Sequence, residues 1–79
     1  MMRNYTKEEA QFLKNIGFRI QYFRRKTDLS QEQLAEKCDM SPSTISHIES
    51  TEPYPFSLRA LYQIAAALEV EPYQLLKFD

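Results

Sequence analysis

The stretch Leu29–Glu49, LSQEQLAEKCDMSPSTISHIE, reads as two short helices joined by a tight turn. Ser30 precedes an apolar-periodic segment and is followed three residues later by Gln33, a capping-box arrangement that satisfies orphan amides at a helix N-terminus. Ser41 followed by Pro42 repeats the start signal, with proline at the first helical position, where its missing N–H costs nothing. Leu34, Ala35 and Cys38 fall on one face of the first helix, and Ile45 and Ile48 on one face of the second, so the pair can share a core. Residues 30–49 therefore have the pattern of a helix-turn-helix, a geometry that suits recognition of nucleic acid.

On the second of these helices, spacing residues by 100° places Pro42, Ser43, Ser46, His47 and Ser50 within roughly a 140° arc opposite Ile45 and Ile48, with Thr44 at the margin. Those residues, with Ser41 at the helix start, are the candidate DNA contacts. Their chemistry favours partly indirect readout: proline supplies no base-reading hydrogen bond, and serine and threonine hydroxyls both donate and accept. His47 has two readings, a contact to a phosphate or guanine whose charge responds to pH, or a solvent-facing polar residue. One histidine and one cysteine without further ligand spacing make no metal site, and no cofactor is expected.

Working outward, 79 residues make one domain, 1–79, which buries roughly 60% of its unfolded surface and leaves little volume for a deep substrate pocket. The single cysteine excludes an intramolecular disulfide and fits a small buried hydrophobe at Cys38. With no charged-then-apolar leader or long apolar run near the N-terminus, a soluble cytoplasmic protein without a membrane partner is the expectation. Charge is unevenly divided. Residues 1–28 carry seven Lys and Arg against three Asp and Glu, and residues 29–79 carry three against eight, which together give the net −1. No Lys or Arg lies between Cys38 and Leu58, so phosphate neutralisation near the motif is sparse and the salt dependence of DNA binding should be shallow. Arg19, Arg25 and Lys26 are available for backbone contacts, or form an ordinary solvated face.

No segment alternates strictly with period two and there is one glycine, so the organisation is all-α. The pattern predicts five helices. The first begins after Thr6, which can form a capping box with Glu9, and runs to about Lys26 with Phe12, Leu13, Ile16, Ile20 and Phe23 inward, Gly17 weakening it locally. The motif supplies the second and third. Two prolines in STEPYPF preclude helix continuation. Ser57 caps a fourth, with Leu58, Leu61, Ile64, Ala65 and Leu68 as its stripe, and Pro72 opens a short fifth carrying Leu75 and Leu76.

Three blocks in this order and spacing, IGFRIQYFRR, then LSQEQLAEK with STISHIE, then SLRALYQIAAALEVEPYQLL, resemble the lambda-repressor and Cro-like helix-turn-helix family of XRE-type regulators. The resemblance runs from about Ile16 to Leu76 and leaves out only 1–15, an N-terminal extension of helix one. It implies a compact five-helix lambda-repressor-like domain. By the same resemblance, the positions of Pro42, Ser43, Thr44 and His47 touch base edges and that of Gln31 clamps a phosphate. A side-chain amide beside the free N–H groups of a helix N-terminus suits an anion, although an exposed first-turn residue is the plain alternative. The family also pairs the arginine at Arg24 with the glutamate at Glu49, tying helix one to the end of the recognition helix.

Phe18 and Tyr22 point about 160–200° away from the inner face of helix one and form an apolar patch for a second copy, a protein partner or the chain's own Phe78 to cover. Tyr54 and Phe56 either pack as core or flank the DNA backbone. Two functions from different classes follow. One is a sequence-specific transcriptional regulator binding double-stranded DNA as a homodimer on a pseudo-palindromic operator. The other is a protein-interaction module on a helix-turn-helix scaffold with little DNA affinity. An enzyme acting on a small molecule is not expected, because Ser46 and His47 are adjacent on a helix and diverge by about 100°, wrong for a nucleophile and its base.

Overall fold

The computed structural model describes residues 4–78. Four α-helices, α1 (Lys7–Lys26), α2 (Gln31–Cys38), α3 (Pro42–Ile48) and α4 (Leu58–Leu68), are followed by a single 3-10 turn, Pro72–Leu75. The expected fifth helix is thus only this turn. It still seats Leu75 in the core, while Leu76 faces outward. Residues 1–3 of the N-terminal extension lie outside the described residues.

Every α-helix starts on a side-chain cap. Thr6 and Ser30 form full capping boxes with Glu9 and Gln33, and Ser41 and Ser57 accept from the amides of Thr44 and Ala60. The ends of α1, α2 and α4 follow a second rule, and α3 ends on Glu49 in the right-handed region. Asp28, Asp39 and Glu69 take left-handed φ of 60°, 58° and 60°. The residue after each donates its amide back to a helix carbonyl: Leu29 to Arg24, Met40 to Ala35 and Val70 to Ala65, at 3.1, 2.9 and 3.0 Å. These are Schellman-type turns, and each brings its apolar residue down onto the core. No glycine serves any of them.

Ile20, Leu34, Ile45, Ile64 and Leu75, the largest fully buried side chains, draw one from each element into a shared centre. Cys38 is buried with them, and burial pushes its thiol pKa up. The chain's glycine, Gly17, has a different role from local weakening. It sits where α1 crosses the end of α3, and a Cβ there would collide with the Ile48 carbonyl. Two residues assigned to inner stripes are instead exposed: Phe12, whose ring packs edge-on against Phe78 at 5.8 Å between centroids, and Leu58, 82% exposed at the first position of α4. Tyr54 and Phe56 are half-buried against the core.

Candidate nucleic-acid interface

The site grows from the packing of α2 on α3. Ile45 and Ile48 bury one side of α3, which leaves Pro42, Ser43, Ser46 and His47 exposed on the other. Across from them Gln31 opens α2. Together Ser30, Gln31, Glu32, Pro42, Ser43 and Ser46, with Arg24 at the floor, line an open depression of about 480 Å³. Gln31, Pro42, Ser43 and Ser46 are thus brought to one place.

The other candidate residues are held differently. Ser41 Oγ accepts from the Thr44 amide at 3.1 Å and shares a 2.8 Å hydrogen bond with Thr44 Oγ1, so both hydroxyls serve the helix start. His47 lies beside Tyr54 with ring centroids 5.3 Å apart, which backs the exposed imidazole with an aromatic wall from the loop. Ser50 is not on the helix. Because α3 ends at Ile48 with Glu49 as its cap, Ser50 falls in the following turn, where its hydroxyl donates to the His47 carbonyl at 2.8 Å. Arg19 is also placed elsewhere. Its Nε donates to the Gln74 carbonyl at 3.2 Å, and its guanidinium stacks over Phe23 and Tyr22, on the side of α1 that meets the 3-10 turn.

Beneath the depression is a charged hub. Arg24 Nε and Nη2 donate to Glu49 Oε2 and Oε1 at 2.7 and 2.8 Å, and Nη1 donates to the Leu29 carbonyl at 2.7 Å. The pair joins α1, the α1–α2 turn and the end of α3. Both side chains are buried, and the hydrogen bonds that Arg24 donates to Glu49 raise the arginine pKa above its ordinary value. Gln31 Nε2 donates to Glu49 Oε1 at 3.0 Å, so the amide at the mouth is fastened to the ion pair below. Among the described residues no buried side-chain N or O lacks a partner. The Gln31–Glu49 bond, the Leu29 contact and the Tyr54 wall were not anticipated. The first spans 18 residues and two helices, a separation that carries no periodic signal.

On α1's outward side Phe18 and Tyr22 remain 44% and 51% exposed. Phe78 does not close over them; its ring meets Phe12, and it lines a shallow groove with Phe18, Arg19 and Lys77. Among the described residues no helix is long and apolar enough to cross a membrane.

A helix-turn-helix family model, HTH_3, matches residues 20–75. No curated protein sequence matches. Among solved structures, the restriction-modification controller protein C.AhdI from Aeromonas hydrophila is similar at 32% identity, covering 80% of this chain and 94% of that one, with a TM-score of 0.75. SinR, the master regulator for biofilm formation solved in complex with DNA, is 35% identical over 78% of this chain and 98% of its own, with a TM-score of 0.71. A hypothetical transcription factor, NHTF from Neisseria, has a TM-score of 0.80 at 27% identity and covers 98% of this chain and 87% of that one.

Proposed function

The chain belongs to the helix-turn-helix family, and on that premise we propose that it is a sequence-specific DNA-binding transcriptional regulator that acts as a homodimer on a pseudo-palindromic operator. The observation that carries this reading is the depression between α2 and α3, where Gln31 faces Pro42, Ser43 and Ser46 while the opposite side of α3 is committed to the core. A helix presented this way enters a major groove with its first turns at the base edges, and Gln31 donates to a backbone phosphate alongside. Short hydroxyls at Ser43 and Ser46 read bases weakly, so DNA shape and half-site spacing carry much of the selectivity. The controller function of C.AhdI and the DNA complex of SinR support the same assignment. The site of action is cytoplasmic and involves no small-molecule substrate.

A dimer sets two recognition helices about one turn of DNA apart. Exposed apolar residues at the junction of α1, α4 and the 3-10 turn supply a face for it: Leu58, Leu76 and Phe12 flank a small apolar recess that also includes Leu13 and Phe56. Leu76→Glu should shift the sedimenting mass from dimer to monomer. An unchanged dimer mass removes this face from consideration.

The defining experiment is fluorescence anisotropy with labelled DNA from upstream of the protein's own gene and with scrambled DNA, titrating salt from about 50 to 200 mM. Selective binding that persists at the higher salt establishes an operator reader. Equal, weak binding of both DNAs that vanishes at 200 mM shifts the assignment to a protein-interaction module. The feature favouring that second reading is the Phe18–Tyr22 face, where Arg19 and Lys26 both lie over the Tyr22 ring, at 5.4 and 5.6 Å.

A further inference from the structure

We infer that Glu49 is a positioning residue for the DNA contact made by Gln31: the buried ion pair sets the orientation of the glutamine amide before DNA arrives. The inference rests on the assignment of Gln31 to a phosphate and adds to it the residue that makes the contact effective.

The geometry leaves little freedom. Glu49 carries two oxygens and no donor, and Arg24 takes both, with Nε on Oε2 at 2.7 Å and Nη2 on Oε1 at 2.8 Å. Any further partner of Oε1 has to donate. Gln31 fulfils this with Nε2 at 3.0 Å, so a flipped amide, with its carbonyl against the carboxylate, is excluded by repulsion. One N–H of Gln31 is thereby used, and the second remains on the amide at the mouth of the depression lined by Ser43 and Ser46. Arg24 cannot swing away to release Glu49, because Nη1 is bound to the Leu29 carbonyl one residue before the cap of α2.

A glutamine side chain is among the costlier ones to immobilise. Here the hydrogen bond to Glu49 already holds the side chain in the free protein, which lowers that cost at the binding step. The same hydrogen bond also joins the start of α2 to the end of α3, the two elements whose relative placement decides whether a phosphate contact and a base contact can form together.

The test is a mutant cycle read in DNA affinity on one duplex, with thermal unfolding followed in parallel. Gln31→Ala should weaken binding about tenfold per half-site, the scale of one charge-assisted hydrogen bond, and so about a hundredfold for a homodimer on both half-sites. Arg24→Met with Glu49→Leu removes the ion pair without stranding a charge, a replacement that cores tolerate. This double variant should melt near the wild type yet lose about the same factor as Gln31→Ala, and adding Gln31→Ala to it should change nothing further. If the double variant binds like the wild type while Gln31→Ala alone weakens binding, positioning by Glu49 is overturned and the phosphate contact stands. If Gln31→Ala has no effect, the phosphate contact itself fails and the inference falls with it. Should the apolar pair prevent folding, the wild type decides: side-chain amide relaxation in the free protein should show Gln31 rigid on the nanosecond scale. A Gln31 amide as mobile as that of a solvent-exposed glutamine overturns the inference.

Discussion

Helix α1 has two faces that differ in how much they allow. On one, Gly17 meets the Ile48 carbonyl so closely that a methyl group would collide, and Arg24 spends three guanidinium nitrogens on Glu49 and Leu29. On the other, Phe18 and Tyr22 stand about half exposed, with cations over the Tyr22 ring and Phe18 edging the shallow groove shared with Lys77 and Phe78. Both faces belong to one continuous helix with one cap. The contrast is between a face held to α3 by a few atom-scale demands and a face whose aromatics stay about half open to solvent.

The largest effect should come from breaking the inner face at Arg24. Arg24→Ala strands the Glu49 carboxylate in a buried site, at a cost of about 3–5 kcal/mol, a large share of the stability of a small domain. Circular dichroism should show the melting temperature falling by at least about 12 °C, or an unfolded chain at room temperature. A melting point within a few degrees of wild type would mean that the pair does not hold the helices together. Gly17→Ala comes next. Alanine is the better helix former by about 1 kcal/mol, so local propensity alone predicts stabilisation. The crossing predicts the reverse, a loss of about 1–3 kcal/mol as α1 and α3 are forced apart. The sign of the change in melting temperature therefore separates propensity from packing directly.

Legibility follows the same divide. Helix starts were open to sequence reading because the cap is local: Thr6, Ser30, Ser41 and Ser57 each lie three residues before the amide they serve. Helix ends were less so. The expected left-handed residue is glycine, and this chain uses Asp28, Asp39 and Glu69. With the structure in view a repeated junction is visible: Asp28-Leu29-Ser30, Asp39-Met40-Ser41 and Glu69-Val70-Glu71 each end a helix, drop an apolar residue onto the core and precede the next helical start. Phe12 and Leu58 were misplaced for another reason. Periodicity specifies the angle around a helix, and it says nothing of how far along the axis the covering neighbours extend. The helix-turn-helix pattern and the resemblance around it named Gln31, Pro42, Ser43 and Ser46 as candidates, and all four line the α2–α3 depression. The hydrogen bond from Gln31 to Glu49, joining residues 18 apart, needed the tertiary structure.

The junctions offer a milder test. Glu69 holds φ at 60°, where a side chain is disfavoured, so the backbone demand there conflicts with the residue that occupies it. Glu69→Gly should stabilise the domain by up to about 1 kcal/mol, the relief of left-handed strain being partly offset by the greater freedom of glycine in the unfolded chain. Chemical denaturation should show a higher midpoint with an unchanged slope. An unchanged or lower midpoint would mean that Glu69 makes contacts that offset its conformational cost.

The smallest change in stability is expected on the outer face, and it is informative because it is small. Phe18→Ser removes a large aromatic from a position 44% exposed, so unfolding should move by no more than about 0.5 kcal/mol. A loss well above 1 kcal/mol would show that the outer face is packed after all and would erase the contrast with Gly17 and Arg24. If stability holds, sedimentation and DNA affinity divide what remains. A fall in dimer mass with weaker operator binding assigns Phe18 to the contact between copies, because half-site spacing is lost when the copies separate. Unchanged mass and unchanged DNA affinity place the residue outside both activities, and a cation-flanked aromatic surface is then left for a protein partner.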